Sequence, residues 1–383
     1  MEKAYCFFTA HFLPSYGGVE RYTYELSKQL IGRGNRVTVV TSQLDGMKER
    51  ENINGIEVYR LPCFKLLNGR FPVYRPGRKA KAQLRELNRQ QFDFMVVQTR
   101  FYPHSYVGVK YANKRKIPCI VIEHGSAHNT VNNPLMDTIG AGFEHMITAG
   151  VKHHCRAFYG VSSASCKWLE HFDIHAKGIL YNAVDVQAFQ ITATDATAER
   201  REGQTGSVEV FFAGRLVYDK GILQLVDAVR RLNREGLPVK LSIAGDGDLL
   251  EQLQRQATDG IAVLGRLDHR QMLERYRISD IFCLPSDHEG FSTTLLEAAA
   301  CKCFIITTDT GGAKELLPND DYGIVMENNT AEDIMKAIRR AASDPQYRKE
   351  AAERAYGEVV QRYTWEKICD RLVDIEEAMN TAK

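Results

Sequence analysis

Two short apolar runs, Ala4-Tyr-Cys-Phe-Phe-Thr9 and Arg36-Val-Thr-Val-Val-Thr41, lie on either side of an amphipathic segment from Glu20 to Ile31. Short apolar runs of this kind are typical of buried strands, and the apolar spacing of the segment between them is that of a helix. The three segments together predict a strand–helix–strand unit with parallel strands. Because the same alternation recurs along most of the chain, we expect an α/β protein whose parallel sheets are covered by helices on both faces.

The length of the chain, 383 residues, predicts more than one domain, since a single core rarely extends beyond about 250–300 residues. A polar segment without strand or helix periodicity interrupts the alternation and predicts a linker at 188–207. We therefore expect two doubly wound, Rossmann-like domains, at 1–187 and 208–363, that face each other across a cleft. The last segment, 364–383, is expected to be a C-terminal helix that packs back on the N-terminal domain.

The charge is distributed unevenly along the chain. The formal net charge is +2, but residues 1–187 carry 25 basic and 15 acidic residues, whereas the remainder carries 25 and 33. Two halves of opposite sign indicate domains with different partners, one of them anionic.

The nine cysteines lack the C-x-x-C spacing of metal or redox sites, so we expect free thiols in a reducing, cytoplasmic compartment.

The first motif follows the strand expected at 208–213 and reads Gly214-Arg215-Leu-Val-Tyr-Asp-Lys220-Gly221. Glycines allow the backbone to approach a ligand closely, and the start of the next helix favours anions. A guanidinium and an ammonium placed together there suit a diphosphate. A surface turn with two solvated cations is the alternative, and the motif alone does not decide between the two interpretations.

The second motif, Glu289-Gly-Phe-Ser292-Thr-Thr-Leu-Leu-Glu297, follows the strand expected at 281–284. Ser292 is expected to cap the helix that begins here, with the free N–H groups of its first turn facing an anion. Glu289 and Glu297 can both contact one small molecule and accept hydrogen bonds from sugar hydroxyls. A solvated helix with chance acids fits less well, because Glu297 lies in an apolar run where an unpaired charge is costly.

These motifs resemble those of retaining glycosyltransferases of family 4, which have the two-domain GT-B architecture. The two glutamates are similar to the E-x7-E signature, and Arg215 with Lys220 is similar to the phosphate-binding pair of that family. Three further segments extend the resemblance: Pro14-Ser-Tyr-Gly17-Gly18-Val-Glu-Arg21, Asn182-Ala-Val-Asp185-x3-Phe189 and Gly311-Gly312-Ala-Lys-Glu315. In the second of these, Ala183 replaces the glycine that is usual in the family.

The resemblance implies a role for each matching residue. Arg215 and Lys220 would hold the donor diphosphate as leaving group, Glu289 would contact the transferred sugar, and Glu297 the ribose. His124, after the strand expected at 119–123, is similar to the active-site histidine of the family; the alternative is a strand-end histidine in a satisfied hydrogen bond. The implied catalytic residues are Arg215, Lys220, Glu289 and His124, and the implied donor-binding residues are Gly17, Gly18, Gly214, Arg266, Gly290, Phe291, Ser292 and Glu297.

A D-x-D triplet, Asp246-Gly-Asp248, is the metal motif of the other major glycosyltransferase fold. Here it follows the strand expected at 239–244 and opens a helix, so we interpret Asp248 as an N-cap or first-turn acid. Fixed cations can stabilise the charge of a departing diphosphate without a metal ion. We therefore predict no metal site and no cofactor, the nucleotide sugar being a substrate.

A basic segment, residues 60–92, contains nine basic residues and one acidic residue, interleaved with apolar ones such as Phe64 and Leu66. This mixture suits an anionic membrane surface, and a solvated loop and helix is the alternative. Nucleic acid is disfavoured because no motif that reads it accompanies the segment. The residues of the basic segment assigned to membrane or acceptor are Arg75, Arg78, Lys79, Lys81 and Arg85.

A second segment, residues 129–155, has apolar side chains at helical spacing, which either line an acceptor site or belong to the core.

The sequence thus predicts a retaining, metal-independent glycosyltransferase that moves a hexose or N-acetylhexosamine from a nucleotide sugar to a lipid-linked or growing glycan in cell-envelope polysaccharide synthesis. A UDP-sugar is the favoured donor and GDP-mannose the alternative. The expected location is cytoplasmic and peripheral, at the inner face of the cell membrane. A glycosyltransferase with a soluble acceptor is one alternative. A catalytically silent nucleotide-sugar-binding or scaffold protein is another, which the intact set of Arg215, Lys220, Glu289 and Glu297 disfavours.

Overall fold

The computed structural model of the chain contains two α/β units. Unit 1 consists of residues 1–182 and 365–383, and unit 2 consists of residues 183–364. The structure describes residues 2–15, 17–66, 69–128, 133–191 and 206–381.

Unit 1 is built on a twisted sheet with helices on its faces. Its strands are β1 (Ala4–Phe8), β2 (Arg36–Gln43), β3 (Arg50–Ile53), β4 (Ile56–Leu66), β5 (Phe71–Tyr74), β6 (Phe94–Gln98), β7 (Cys119–Glu123), β8 (Phe158–Gly160) and β9 (Gly178–Ile179). Its helices before residue 183 are α1 (Gly18–Gly32), α2 (Arg78–Leu87), α3 (Pro103–Arg115), α4 (Pro134–His154) and α5 (Ser163–Glu170).

The strand order of this sheet is β3-β4-β2-β1-β6-β7-β8-β9, with β5 paired to β4. Every residue of β1 and β6 is buried, which is why their sequences are continuous apolar runs. The pairs β3–β4 and β4–β5 are antiparallel. Strands β3 to β5 were not identified from the sequence, because the prediction relied on continuous apolar runs and these strands mix charged and polar residues with apolar ones.

Unit 2 contains a second sheet, and the sheet of its described residues is parallel throughout. Its strands are β10 (Val208–Ala213), β11 (Val239–Ala244), β12 (Ile261–Gly265), β13 (Ile281–Leu284), β14 (Phe304–Thr308) and β15 (Ile324–Met326). Its helices are α6 (Val186–Ile191), α7 (Ile222–Arg234), α8 (Leu250–Arg255), α9 (His269–Ile278), α10 (Thr293–Ala300), α11 (Ala313–Leu316), α12 (Ala331–Ser343) and α13 (Pro345–Arg362).

The strand order of unit 2 is β12-β11-β10-β13-β14-β15. In terms of the chain this is the order 3-2-1-4-5-6 of Rossmann folds, in which ligands bind where the order reverses, beyond the carboxyl ends of the strands. The reversal lies between β10 and β13, the two strands that precede the motifs of this unit. The core strands of unit 1 follow the same order, so the prediction of two Rossmann-like sheets is confirmed.

The boundary between the units falls after Asn182, ahead of the expected domain end at residue 187. Val184 forms a β-bridge with Thr364, which ties the two ends of unit 2 together. The linker predicted at 188–207 begins inside α6, a helix too short to show a periodic pattern in the sequence. Residues 192–205 of that linker lie outside the described residues.

The final helix, α14 (Trp365–Thr381), packs in unit 1 against α1. The ring of Trp365 lies 5.5 Å from that of Tyr22, and Lys3 pairs with Glu376 at 2.7 Å. Across the described part of the chain, none of the helices is long and apolar enough to cross a membrane.

Candidate active site

A cavity of about 220 Å³ lies in unit 2 beyond the carboxyl ends of β10 and β11. Two of its lining side chains are those of Arg215 and Arg266, so the cavity offers two guanidinium groups to an anion. The residues that line it are Ala213, Gly214, Arg215, Ala244, Gly245, Asp246, Arg266, Leu267, Met272 and Thr294. The structure therefore brings Arg266 together with Gly214 and Arg215, which belong to a different part of the sequence.

Arg215 is exposed, and its guanidinium group has no hydrogen-bond or ion-pair partner among the described residues. Arg266 is also exposed, and its Nε lies 3.9 Å from an oxygen of Asp246. Asp246 is thus a cavity residue that the sequence analysis considered only as a metal ligand. Its carboxylate also accepts a hydrogen bond from the N–H of Gly247 at 2.8 Å.

Lys220 and Glu289 form an ion pair at the point where the strand order reverses. The Nζ of Lys220 lies 2.5 Å from Oε1 of Glu289, and the two side chains are only 12% and 14% exposed. The hydroxyl of Ser286 donates to the same carboxylate oxygen at 2.9 Å. Glu289 therefore fixes the position of the ammonium group, because both partners are largely shielded from water.

Gly221, directly after Lys220, has a left-handed backbone conformation with φ of +65°. A Cβ atom at this position would lie 2.1 Å from the carbonyl oxygen of Pro285. The turn that carries Lys220 thus lies against the loop after β13, an approach that only glycine allows.

Glu297 projects from α10 and is 6% exposed. The hydroxyl of Tyr276, on α9, donates a hydrogen bond to its Oε2 at 3.0 Å. Tyr276 is fully buried, so the carboxylate is held by a group that is itself fixed. Sequence analysis missed Tyr276, since an aromatic residue in a helix carries no signal that its hydroxyl reaches a particular acid.

Two capping predictions are wrong. Ser292 occupies the N-cap position of α10, but its side chain makes no capping hydrogen bond and its hydroxyl lies 2.9 Å from that of Thr294. Asp248 precedes α8 but is not its cap, because a turn intervenes and Leu249 occupies the N-cap position. The error at Asp248 arises because helix starts cannot be located to the residue from sequence. At Ser292 the helix start is where the sequence predicts it, but the hydroxyl is directed to Thr294 and not to the helix N–H groups.

Gly290 and Phe291 belong to the loop between β13 and α10. The ring of Phe291 is 3% exposed and packs edge-on against Tyr363 at 5.2 Å. A Cβ atom on Gly312 would lie 2.5 Å from this ring. The side chain of Phe291 therefore anchors the loop, and the group that this segment can offer a ligand is its backbone.

In unit 1, His124 follows β7, and its Nε2 lies 2.7 Å from the side-chain oxygen of Gln98 at the end of β6. Burial lowers the pKa of His124 to about 3, so the imidazole is neutral and donates its Nε2–H to Gln98. The strand-end hydrogen bond considered above is present, and Nδ1 is left as an acceptor. Gln98, which sets this tautomer, was not identified from the sequence.

The glycine loop of unit 1 lies before α1. Gly17 occupies the N-cap position of that helix and Gly18 is its first residue, and both are exposed. Residue 16 of this motif lies outside the described residues.

Among the described basic residues of the segment 60–92, one does not belong to the surface. Arg60 is fully buried; it pairs with Glu51 at 2.5 Å and donates to the carbonyl oxygen of Leu13 at 2.7 Å. Arg60 therefore stabilises the fold, and its assignment to a charged surface is wrong. The assigned residues Arg75, Arg78, Lys79, Lys81 and Arg85 are all exposed.

Exposed apolar side chains accompany this basic surface. Phe64 and Leu66, on β4, are 52% and 53% exposed. On α4, Leu135, Met136, Ile139 and Met146 are exposed as well, so these residues do not belong to the core. Phe71 of β5 contacts Phe143 of α4, with ring centroids 5.7 Å apart. Residues 129–132 of the predicted apolar segment lie outside the described residues.

Comparisons with known proteins agree with this architecture. Residues 16–188 match the family described as Glycosyltransferase Family 4, and residues 195–358 match Glycosyl transferases group 1. The phosphatidylinositol N-acetylglucosaminyltransferase GPI3 subunit of Saccharomyces cerevisiae is 24% identical over 95% of this chain and 80% of its own.

Two solved structures are similar over nearly the whole chain. Sucrose-phosphate synthase from Thermosynechococcus elongatus has a TM-score of 0.77 at 15% identity and covers 100% of both chains. The Anabaena protein HepE in complex with UDP has a TM-score of 0.73 at 16% identity, over 99% of this chain and 100% of its own.

The two family matches together span both units, and the structural neighbours share the fold. The chain therefore belongs to the glycosyltransferases of the family 4 type with a GT-B fold. The predicted family, the fold class and the assignment as an enzyme are confirmed.

Proposed function

We propose that this glycosyltransferase transfers a hexose or N-acetylhexosamine from a nucleotide sugar, with retention of configuration, to a lipid-linked or growing glycan acceptor in cell-envelope polysaccharide synthesis. The observation that carries the proposal is the cavity at the carboxyl edge of the unit 2 sheet, with Arg215 and Arg266 in its lining. Two guanidinium groups in one small cavity suit a diphosphate, the part that all nucleotide-sugar donors share.

The chemistry of the transfer explains why cations are needed. The bond between the anomeric carbon and a diphosphate oxygen breaks, while a bond from an acceptor hydroxyl to that carbon forms. Negative charge develops on the departing diphosphate, and fixed donors aimed at it lower the barrier. The guanidinium group of Arg215 is exposed and can meet this charge, and the ammonium group of Lys220, later in the same motif, is held in position by its ion pair with Glu289.

A UDP-sugar is the favoured donor. The Anabaena neighbour HepE is a complex with UDP, which supports the uracil nucleotide over the guanine nucleotide of GDP-mannose. Glu289 and the buried Glu297 are proposed to accept hydrogen bonds from the transferred sugar and the ribose, respectively. His124, neutral and with Nδ1 as an acceptor, is proposed to act beside the sugar.

A lipid-linked acceptor is supported by two features. The yeast relative is a phosphatidylinositol N-acetylglucosaminyltransferase subunit. Unit 1 also exposes basic residues together with Phe64, Leu66 and the apolar side chains of α4, a combination that binds anionic membranes. We therefore propose a peripheral enzyme at the inner face of the cell membrane. A soluble acceptor is the second candidate, favoured by the similarity in fold to sucrose-phosphate synthase.

The proposal is tested with the purified chain and a panel of UDP- and GDP-sugars, each incubated with and without a membrane lipid extract. We expect release of UDP, which the lipid extract accelerates, and a glycolipid product in the mass spectrum with the anomeric configuration of the donor. Acceleration by sugar phosphates alone would favour the soluble acceptor. Binding of a nucleotide sugar without release of any nucleoside diphosphate would show a catalytically silent binder.

We further propose that the transfer needs no metal ion. Donor cleavage should proceed at an unchanged rate in EDTA, because the cavity supplies its own cations. Loss of activity that Mg²⁺ or Mn²⁺ restores would contradict this and assign Asp246 and Asp248 a metal-binding role, since these ions prefer oxygen ligands.

A further inference from the structure

Three histidines from three separate elements of unit 1 meet at one place. His128 lies in the loop after β7, His145 lies on α4, and His171 directly follows α5. One ring nitrogen of each lies within 4.8 Å of those of the other two. We propose that His128, His145 and His171 bind a divalent transition-metal ion of the zinc class, a site separate from the cavity that holds Arg215.

The distances are close to those of an imidazole-coordinated ion. The Nε2 atoms of His145 and His171 are 3.2 Å apart. Nitrogens bound about 2.0–2.1 Å from a tetrahedral zinc ion lie about 3.3–3.4 Å from one another. Two of the three ligand atoms are therefore already at coordination spacing, and a ring nitrogen of His128 lies within 4.8 Å of both.

The third histidine is oriented by a carboxylate. Nδ1 of His128 lies 2.9 Å from Oε2 of Glu144, which is 4% exposed. In metal sites a ligating imidazole commonly donates its other N–H to a carboxylate, which fixes the ring and raises its basicity. The hydrogen bond to Glu144 leaves Nε2 of His128 for the ion.

Glu144 is itself held in place by a buried network. The Nη2 of Arg100 lies 3.4 Å from the same carboxylate oxygen, and Nε of Arg100 lies 3.3 Å from Oε2 of Glu123 at the end of β7. Arg100 is fully buried, so the position of Glu144 is fixed by the sheet. The carboxylate that orients His128 thus belongs to the core and not to a mobile surface side chain.

Aromatic side chains restrict the imidazole rings. The indole of Trp168 is stacked on His171 with centroids 4.8 Å apart, and Phe172 lies 4.7 Å from His145. His145 and His171 are nevertheless exposed, so an ion can enter from solvent and water can complete its coordination. Imidazole ligands favour zinc, copper, cobalt or nickel over magnesium and calcium.

An ion at this position would join three elements that the fold otherwise connects by packing. It would tie the loop after β7 to α4 and to the end of α5, and that loop also carries His124. None of the three histidines lines the cavity of unit 2, so ion binding and donor cleavage can be measured separately.

The test uses the full-length chain without an affinity tag, freed of metals with EDTA and then titrated with ZnCl₂ in a calorimeter. We expect one tightly bound equivalent of Zn²⁺ and a rise in melting temperature. His145→Ala and His171→Ala should each weaken binding by more than about tenfold, and Glu144→Gln by about 10–100-fold. His153→Ala, which removes an exposed histidine from the same helix, should bind as the unaltered chain does.

The free cysteines require a second measurement, since thiolates also bind zinc. Co²⁺ is substituted for Zn²⁺, and its absorption spectrum is recorded. Imidazole ligation should give weak visible bands without the intense near-ultraviolet band of thiolate ligation. A thiolate band, an absence of stoichiometric binding, or equal binding by His145→Ala and His153→Ala would each overturn the proposal.

Discussion

Arg215 and Arg266 contribute differently to the cavity of unit 2, although both line it. Arg266 lies 3.9 Å from the carboxylate of Asp246, whereas Arg215 has no such neighbour in the described residues. An uncompensated guanidinium attracts an anion more strongly than a paired one. We therefore expect Arg215 to supply most of the stabilisation of a departing diphosphate.

Arg215→Ala should lower kcat for donor cleavage by about 10²–10³-fold, the usual effect of removing one group that stabilises developing charge. The release of nucleoside diphosphate at saturating donor measures this. Arg234→Ala, an exposed arginine of the same unit outside the cavity, is the matched control. Equal turnover of both variants would remove the phosphate assignment.

Tyr276→Phe removes the hydroxyl that holds Glu297 and should weaken donor binding, seen as a higher KM. A hydrogen bond to a charged group contributes about 1.5–3 kcal/mol, so the free energy of unfolding should also fall by about that amount. Tyr347→Phe removes a hydrogen bond to the backbone of Asp320 and serves as the control. A KM that changes equally in both variants would contradict the role of Tyr276.

The residues that could be found from sequence are those whose position along the chain reveals their role. Arg215, Lys220 and Glu289 follow the ends of β10 and β13, and such positions are where Rossmann sheets bind ligands. Tyr276 and Gln98 could not be found, because each acts through a hydrogen bond to a residue that is distant in sequence.

At the scale of elements, the turn that carries Lys220 depends on its contact with the loop after β13. The backbones of the two segments are also joined by a hydrogen bond, in which the N–H of Asp287 donates to the carbonyl oxygen of Asp219 at 2.8 Å. Two loops from opposite sides of the strand reversal thus support each other. A change in one should displace the other.

Gly221→Ala should therefore lower the free energy of unfolding by more than the strain of a left-handed backbone alone would. Gly236 is the matched control, because it also has a left-handed φ, +87°, but no atom lies within 4 Å of its added Cβ. Gly236→Ala should lower the free energy of unfolding by about 1–2 kcal/mol. Gly221→Ala should lower it further and reduce donor cleavage. Urea unfolding of both variants gives the comparison, and equal costs would show that the loop contact is unimportant.

The parallel strands were predictable because burial on both faces requires a continuous apolar run. The antiparallel pair β4–β5 was not, since its paired residues range from exposed to buried and include Lys65 and a proline, Pro72. The same region contains Arg60, whose charge predicts an exposed side chain but which is fully buried and paired with Glu51. Burial of a paired cation cannot be distinguished from exposure by composition alone.

At the scale of the whole molecule, the first half of the sequence carries an excess of basic residues, and the structure exposes those around α2 on the surface of unit 1. The triple variant Arg78→Glu, Lys79→Glu, Lys81→Glu should reduce binding to anionic vesicles by more than about a hundredfold, since each cation near such a surface contributes about 1 kcal/mol. Vesicle sedimentation with phosphatidylserine mixtures measures the loss.

The matched control reverses three exposed cations at the end of α3, with Lys114→Glu, Arg115→Glu and Lys116→Glu. This changes the net charge of unit 1 by the same amount. Equal loss of binding in the two triple variants would show that net charge, and not the basic surface around α2, attracts the membrane. Undiminished binding of the first variant would remove the membrane assignment.

The position of α14 has a consequence for the order in which the chain folds during synthesis. Unit 2 is a continuous segment, 183–364, and the N–H of Val184 bonds to the carbonyl oxygen of Tyr363 at 2.9 Å. Unit 1 needs Trp365, Ile368 and Leu372, which are buried. At about 5–20 residues per second, a ribosome needs about 10–40 s to make the intervening segment. Unit 1 is therefore the first to emerge from the ribosome and the last to be completed. It must persist without α14 while unit 2 is made.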